Sequence, residues 1–139
     1  ASVYNARILI EAGVVTSLHS DNNEISSRMN WEAGKLLRTG LTHEQALSTV
    51  TNQAAKAVAI DSRVGSLEAD KDADFVIWSG NPLSQFTRAE QTWVDGRRYF
   101  SLGEDAAMRE QIERERTQLI QAILSISGNG DMRDLRGSN

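Results

Sequence analysis

The sequence has no cysteine, one proline and two histidines in 139 residues. The missing cysteines exclude thiol catalysis, zinc–thiolate centres and disulfides, and they leave the compartment open. Two histidines, His19 and His43, are too few for a three-histidine metal site, and neither stands in an HExxH pattern. Positive charge is also short, with 15 basic against 19 acidic residues and a net charge of −4. A nucleic-acid binder needs clustered positive charge to displace counterions, so no nucleic-acid partner is expected. No apolar run approaches the roughly 18 residues of a membrane span, so no membrane partner is expected either. No secretory leader is read at Ala1, although a processed or partial chain would lack one. There is no G-x-S-x-G elbow, no evident base for Ser20 and no glycine-rich phosphate loop. Internal repeats are absent.

What is present is an ordinary globular composition, 40% hydrophobic and 24% charged. It rules out a collagen, a disordered acidic tail and a disulfide-stapled miniprotein. A compact chain of this size buries about two-thirds of its unfolded surface, so a real core can form.

Four segments follow from the patterning. Residues 1–60 read mainly as helix around one short strand. Tyr4–Ala12 is helical and stops at Gly13; Val14–Leu18 is a β-branched, nearly continuous strand of the kind buried on both faces of a parallel sheet. Glu24–Thr39 reads as one helix ending at Gly40. Thr42 and Gln45 have capping-box spacing and open a third helix, with a stripe of Ala46, Leu47, Val50, Ala54, Ala57 and Val58. Residues 61–101 read as sheet: Val64–Glu68, Ala73–Ser79, and the pair Gln91–Val94 and Arg97–Phe100 around an Asp95–Gly96 hairpin turn. Residues 102–127 read as a helix opened by a second capping box, Ser101 with Glu104, its apolar stripe interrupted at Glu115. Gly128–Gly130 stops that helix, and 128–139 reads as a mobile tail.

Chemistry belongs at the carboxyl end of the Val14–Leu18 strand, because binding groups in α/β folds collect there. Asp21 stands in that place. Its carboxylate can bind a hard or borderline cation, or take a proton from a water that a metal has acidified. It can equally be a helix cap, since Asp21 with Glu24 is a capping-box spacing; the residues alone leave both readings open. His43, after the N-cap Thr42, reads as an exposed first-turn residue.

Order and spacing then point to a family. Ala12-Gly13-Val14 precedes a strand ending in His19-Ser20-Asp21. Gly40-Leu41-Thr42, Ala46-Leu47, Thr51-Asn52 and Ala54-Ala55 follow. Next come Val64-Gly65-Ser66-Leu67-Glu68, Lys71 to Trp78, Asn81-Pro82-Leu83 and Val94-Asp95-Gly96. Together these resemble the C-terminal third of the amidohydrolase superfamily, most closely its imidazolonepropionase-like members. The resemblance implies an α/β fold: the last strand and helices of a (β/α)8 barrel, strands of an accessory β-sandwich, and a C-terminal helix. Val14–Leu18 would be strand eight. The resemblance also implies a metal-dependent hydrolase of amide, cyclic amide or peptide-like C–N bonds. Asp21 would be its catalytic carboxylate and a ligand to a divalent metal, zinc by preference. Ser20 and Asn23 are candidate substrate contacts, and the Gly65–Trp78 run is structural.

Three departures stand out. Gln53 replaces a common proline, Ala69-Asp70 replaces a common proline-glycine, and the family's HxH motif, bridging lysine and later histidines are not in the sequence. One carboxylate cannot hold a hydrolytic metal, which takes about three protein ligands. The chain alone is therefore expected to bind no metal, to be inert and to self-associate through open apolar surface, with a small-molecule or peptide-like substrate only in an intact protein. The competing reading is a non-catalytic interaction or scaffolding module that keeps the family's tail, its charged helix from Glu104 to Ser127 serving as the partner element.

Overall fold

The computed structural model describes the backbone of residues 4–134 and the side chains of 4–126. Two compact units divide it, Ala1–Ser101 and Leu102–Asn139. The first is a mixed α/β unit in which short helices precede a three-stranded antiparallel sheet.

Helix α1 (Asn5–Glu11) closes where expected, with Gly13 at φ +78° and the Val14 N–H donating back to Leu9 O over 2.9 Å. The expected strand Val14–Leu18 is not one: it has no ladder partner among the described residues. A strand exists through its neighbours' hydrogen bonds, and a β-branched sequence cannot supply them. The segment is held at its ends, by the Val14 N–H donating to Leu9 O and the Leu18 N–H donating to Thr49 O (3.1 Å).

The helix expected over 24–39 is three pieces: α2 (Asn23–Ser26), α3 (Met29–Lys35) and a 3-10 turn (Leu36–Thr39) closed by Gly40 at φ +95°. The interruption has a local cause. Ser26 and Ser27 turn their hydroxyls onto the carbonyls of Asn23 and Glu24, both at 2.8 Å, offering the backbone an alternative to the helical ladder. The same competition divides the next helix into α4 (His43–Ser48) and α5 (Asn52–Ala57). Ser48, Thr49 and Thr51 donate back to Gln45 O, Ala46 O and Leu47 O at 2.8, 2.7 and 3.0 Å. The Thr42–Gln45 capping box forms as drawn, with bonds of 3.1 and 2.9 Å. Only part of the expected stripe is covered: Ala46 is buried and Leu47, Val50 and Ala54 are half-buried, Ala57 and Val58 face solvent, and Ala55, outside the stripe, is buried instead.

Ala33 and Ala46 pack against Leu83, with Leu18, Leu36, Leu37, Leu47 and Val50 around them. Gly34 makes the approach possible, since a Cβ there would lie 2.5 Å from the Leu83 carbonyl oxygen. Asn30 Nδ2 donates to Pro82 O at 2.6 Å and fixes the same junction.

The sheet is a meander of β1 (Phe75–Trp78), β2 (Ala89–Val94) and β3 (Arg97–Ser101). Phe75 stacks on Trp93 at 5.5 Å across the β1–β2 pair, and Asp95 and Gly96 take φ values of 50° and 71° as the hairpin turn requires. Val64–Glu68 is turn and bend rather than strand, because Gly65 at φ +91° sits directly on α5.

The second unit is α6 (Leu102–Asp134). It begins at Leu102, so Ser101 closes β3. It also runs through Gly128–Gly130, where a stop was expected, so 128–134 is helix rather than tail; 135–139 lie outside the described residues. Glycine weakens a helix without forbidding its dihedrals. Ion pairs Asp105–Arg109, Glu110–Arg114 and Glu113–Arg116 line its first half. Residues 117–126 carry no charge and expose Leu119, Ile120, Ile123, Leu124 and Ile126. Among the described residues no helix is long and apolar enough to cross a membrane.

Candidate functional site

The four residues His19, Ser20, Asp21 and Asn23 occupy one short connection. It starts at the Leu18–Thr49 bond and ends in α2. The cap position that Asp21 could have filled is taken by its neighbour. Asn22 is the N-cap of α2, with extended backbone (φ −143°, ψ 158°) and Oδ1 accepting the Ile25 N–H at 2.8 Å. With that position filled, Asp21 caps nothing, and its carboxylate is 95% exposed.

Asp21 is met by one group. His19 Nδ1 lies 3.4 Å from Asp21 Oδ1, the imidazole itself 79% exposed. Sequence reasoning noted His19 at the end of the expected strand but gave a role to the carboxylate alone. The signal was present, because residues two apart along an extended segment share a side. Ser20 is half-buried. Asn23 becomes the first residue of α2, where its carbonyl takes the Ser26 hydroxyl and its side chain is exposed. His43 is exposed at the start of α4, as expected.

Beside the connection lies an open groove of about 620 Å³, with Leu18 and His19 at one end and Ile25, Met29 and Leu36 along its wall. The Glu32–Lys35 ion pair (2.6 Å) borders it. Asp21 is outside this groove.

The donor types at His19 and Asp21, one imidazole nitrogen and one carboxylate oxygen, suit a borderline cation such as zinc. Their number does not complete a site, and among the described residues no three His, Asp or Glu side chains converge. A second polar cluster lies apart from this connection. Ser66 Oγ donates to Glu68 Oε1 (2.7 Å) and accepts from Lys71 Nζ (2.6 Å). The Ser66 hydroxyl first, and the Lys71 charge second, hold the Glu68 carboxyl below its ordinary range. The triad closes the 66–71 turn, in which Asp70 takes φ 69°.

Comparison with known proteins places this geometry in a lineage. Residues 2–98 match the model of the Amidohydrolase family. The amidohydrolase tasK of Hapsidospora irregularis is 32% identical over 95 residues, covering 68% of this chain and 10% of that protein. The imidazolonepropionase of Acinetobacter baumannii is 44% identical over 75 residues, covering 50% of this chain and 18% of that protein. Among solved structures, an amidohydrolase from Thermotoga maritima MSB8 superposes with a TM-score of 0.65 at 30% identity, over 72% of this chain and 26% of that one. The chain thus corresponds to between a tenth and about a quarter of the length of these relatives. It belongs to the amidohydrolase family.

Proposed function

We propose that the chain is the C-terminal part of a metal-dependent hydrolase of C–N bonds, with Asp21 as its acid–base carboxylate and one ligand to a divalent cation, zinc by donor chemistry. The observation that carries this reading is the Asp21 carboxylate itself: 95% exposed, and relieved of capping by Asn22. The relatives' names support the reaction class, and the small share of each relative that the chain covers is consistent with remaining ligands and substrate walls in other parts of an intact protein. A divalent cation, when bound, lowers the pKa of water toward neutrality. Asp21 then accepts the proton at one carboxylate oxygen and delivers it to the departing nitrogen. Ser20 and Asn23, on either side, contact the substrate, which is an amide, cyclic amide or peptide-like molecule.

The test is Asp21→Asn in the complete polypeptide, assayed against a panel of such substrates. General acid–base catalysis contributes about 10²–10⁴ in rate, so kcat falls by that order with KM little changed. Undiminished kcat overturns the assignment. The 139-residue chain alone is inert on this reading; metal-supported hydrolysis by it, lost in Asp21→Asn, overturns that part.

A second reading, a non-catalytic interaction module, draws on the exposed apolar residues Leu119, Ile120, Ile123, Leu124 and Ile126 of α6. A complete polypeptide that turns over nothing in the panel favours it. On either reading the exposed apolar residues Ile8, Leu9, Val14 and Val15 make self-association the expected behaviour of the isolated chain.

A further inference from the structure

We propose that α6 pairs in parallel with α6 of a second copy of this chain, along the side that carries Met108, Ile112, Leu119, Ala122 and Ile126. The inference stands apart from the catalytic reading and gives the exposed helix a definite occupant.

The need for a partner comes first. From Ala106 to Ile126 every residue of α6 is exposed, Leu119 at 65% and Ile126 at 72%. Helices in proteins draw most of their stability from packing an apolar side, and this stretch of α6 has no packed side. The helix also begins beyond residues 2–98, the part that matches the family, so the match assigns these apolar residues no cover.

Spacing gives the kind of partner. Met108, Ile112, Glu115, Leu119, Ala122 and Ile126 follow one another at alternating steps of four and three residues. That is the heptad seam of two helices wound together, and the isoleucines at 112 and 126 are the β-branched choice that favours two strands. A second copy supplies the identical seam.

Charge sets the direction. Arg109 and Arg116 flank the seam on one side and Glu104 flanks it on the other. Antiparallel pairing brings the arginine flank of one helix onto the arginine flank of the other. Parallel pairing brings opposite flanks together, Glu104 against the second copy's Arg109. Arg109 Nε donates to Asp105 Oδ2 at 2.7 Å, which leaves its two Nη groups to reach across. The parallel direction also answers Glu115, the one charge among the six seam residues. Its side chain enters a hole bordered by the second copy's Arg116, a cation whose contact within α6 is an exposed 3.8 Å approach to Glu113.

The lack of cysteine makes the test direct. In the full 139-residue chain, Leu119→Cys places two thiols across the axis of a parallel pair, within disulfide reach. Leu124→Cys, on the side of α6 turned away from the seam, is the control. Each is oxidised with diamide and followed on non-reducing gels, with helicity checked by circular dichroism. Leu119→Cys links into dimers faster than Leu124→Cys by on the order of 10-fold, and Ile112→Cys, a second seam position, repeats the result. Adding Arg116→Glu sets like charges together at Glu115 and slows linking on the order of 10-fold; exchanging the two charges, Glu115→Arg with Arg116→Glu, restores it. Equal linking at the seam and control positions overturns the inference, as does a rate that Arg116→Glu leaves unchanged or that the exchange fails to restore. The kcat of Asp21→Asn has no bearing on any of these outcomes.

Discussion

Ala59 and Asp70 hold left-handed backbone, at φ 59° and 69°, without being glycine. Ala59 follows the end of α5, where its N–H donates to Lys56 O and the Ile60 N–H to Ala55 O. An L-residue in that region is strained by about 1–2 kcal/mol, and glycine's greater freedom when unfolded offsets part of the relief. Ala59→Gly and Asp70→Gly are therefore each expected to raise stability by about 0.5–1 kcal/mol, read from the urea midpoint. Gly65→Ala goes the other way. Its new Cβ would lie 2.7 Å from Ala55 Cβ at φ +91°, with an expected loss of about 2 kcal/mol. The acidic limb has its own marker in Glu68. Its folded carboxyl is depressed, so its favourable contribution is present at neutral pH and disappears as pH falls through the folded value, below the ordinary carboxylate range. An NMR titration should show both Ser66→Ala and Lys71→Met returning Glu68 toward that ordinary range. The Asp70 geometry was readable in advance from its place in a turn where the family resemblance leads one to expect glycine. The division of labour between Asp21 and Asn22 was not: the two side chains cap helices about equally well, and only the actual chain path selects one.

Among elements, several that close within a few residues matched expectation, whereas the Val14–Leu18 strand and the Gly128–Gly130 stop did not. The Thr42–Gln45 box, the Gly13 and Gly40 stops and the Asp95–Gly96 turn each close within a few residues, so the sequence contains both partners of each bond. Thr42→Ala removes one half of the box and is expected to lower stability by about 0.5–2 kcal/mol, measured by denaturant unfolding. Val14–Leu18 finds no ladder partner among the described residues, and its β-branched sequence could not reveal that. The long helices failed for a different reason. Hydrophobic spacing across 24–39 and 42–58 is helical, but runs of Ser and Thr insert hydroxyl bonds at 26–27 and 48–51 that spacing does not register. Replacing Ser26 and Ser27 together with alanine is expected to join α2 to α3, seen as added helical ellipticity.

At the scale of the molecule, family membership was the most readable property, because it depends on the order of many short motifs. Val14 and Val15, 47% and 49% exposed, mark apolar surface that the first unit leaves in water. Sedimentation of the chain should show species heavier than the 15.3 kDa monomer, growing with concentration; a monomer throughout would count against association. The placement of the aromatic residues has one more consequence. Trp31, Trp78, Trp93, both tyrosines and all three phenylalanines precede Leu102, so α6 carries none. Indole fluorescence therefore watches only the first unit melt, while α6, 33 residues long, dominates the 222 nm circular dichroism. Two spectrometers on one heated cuvette would register the two units as separate transitions, with no label added.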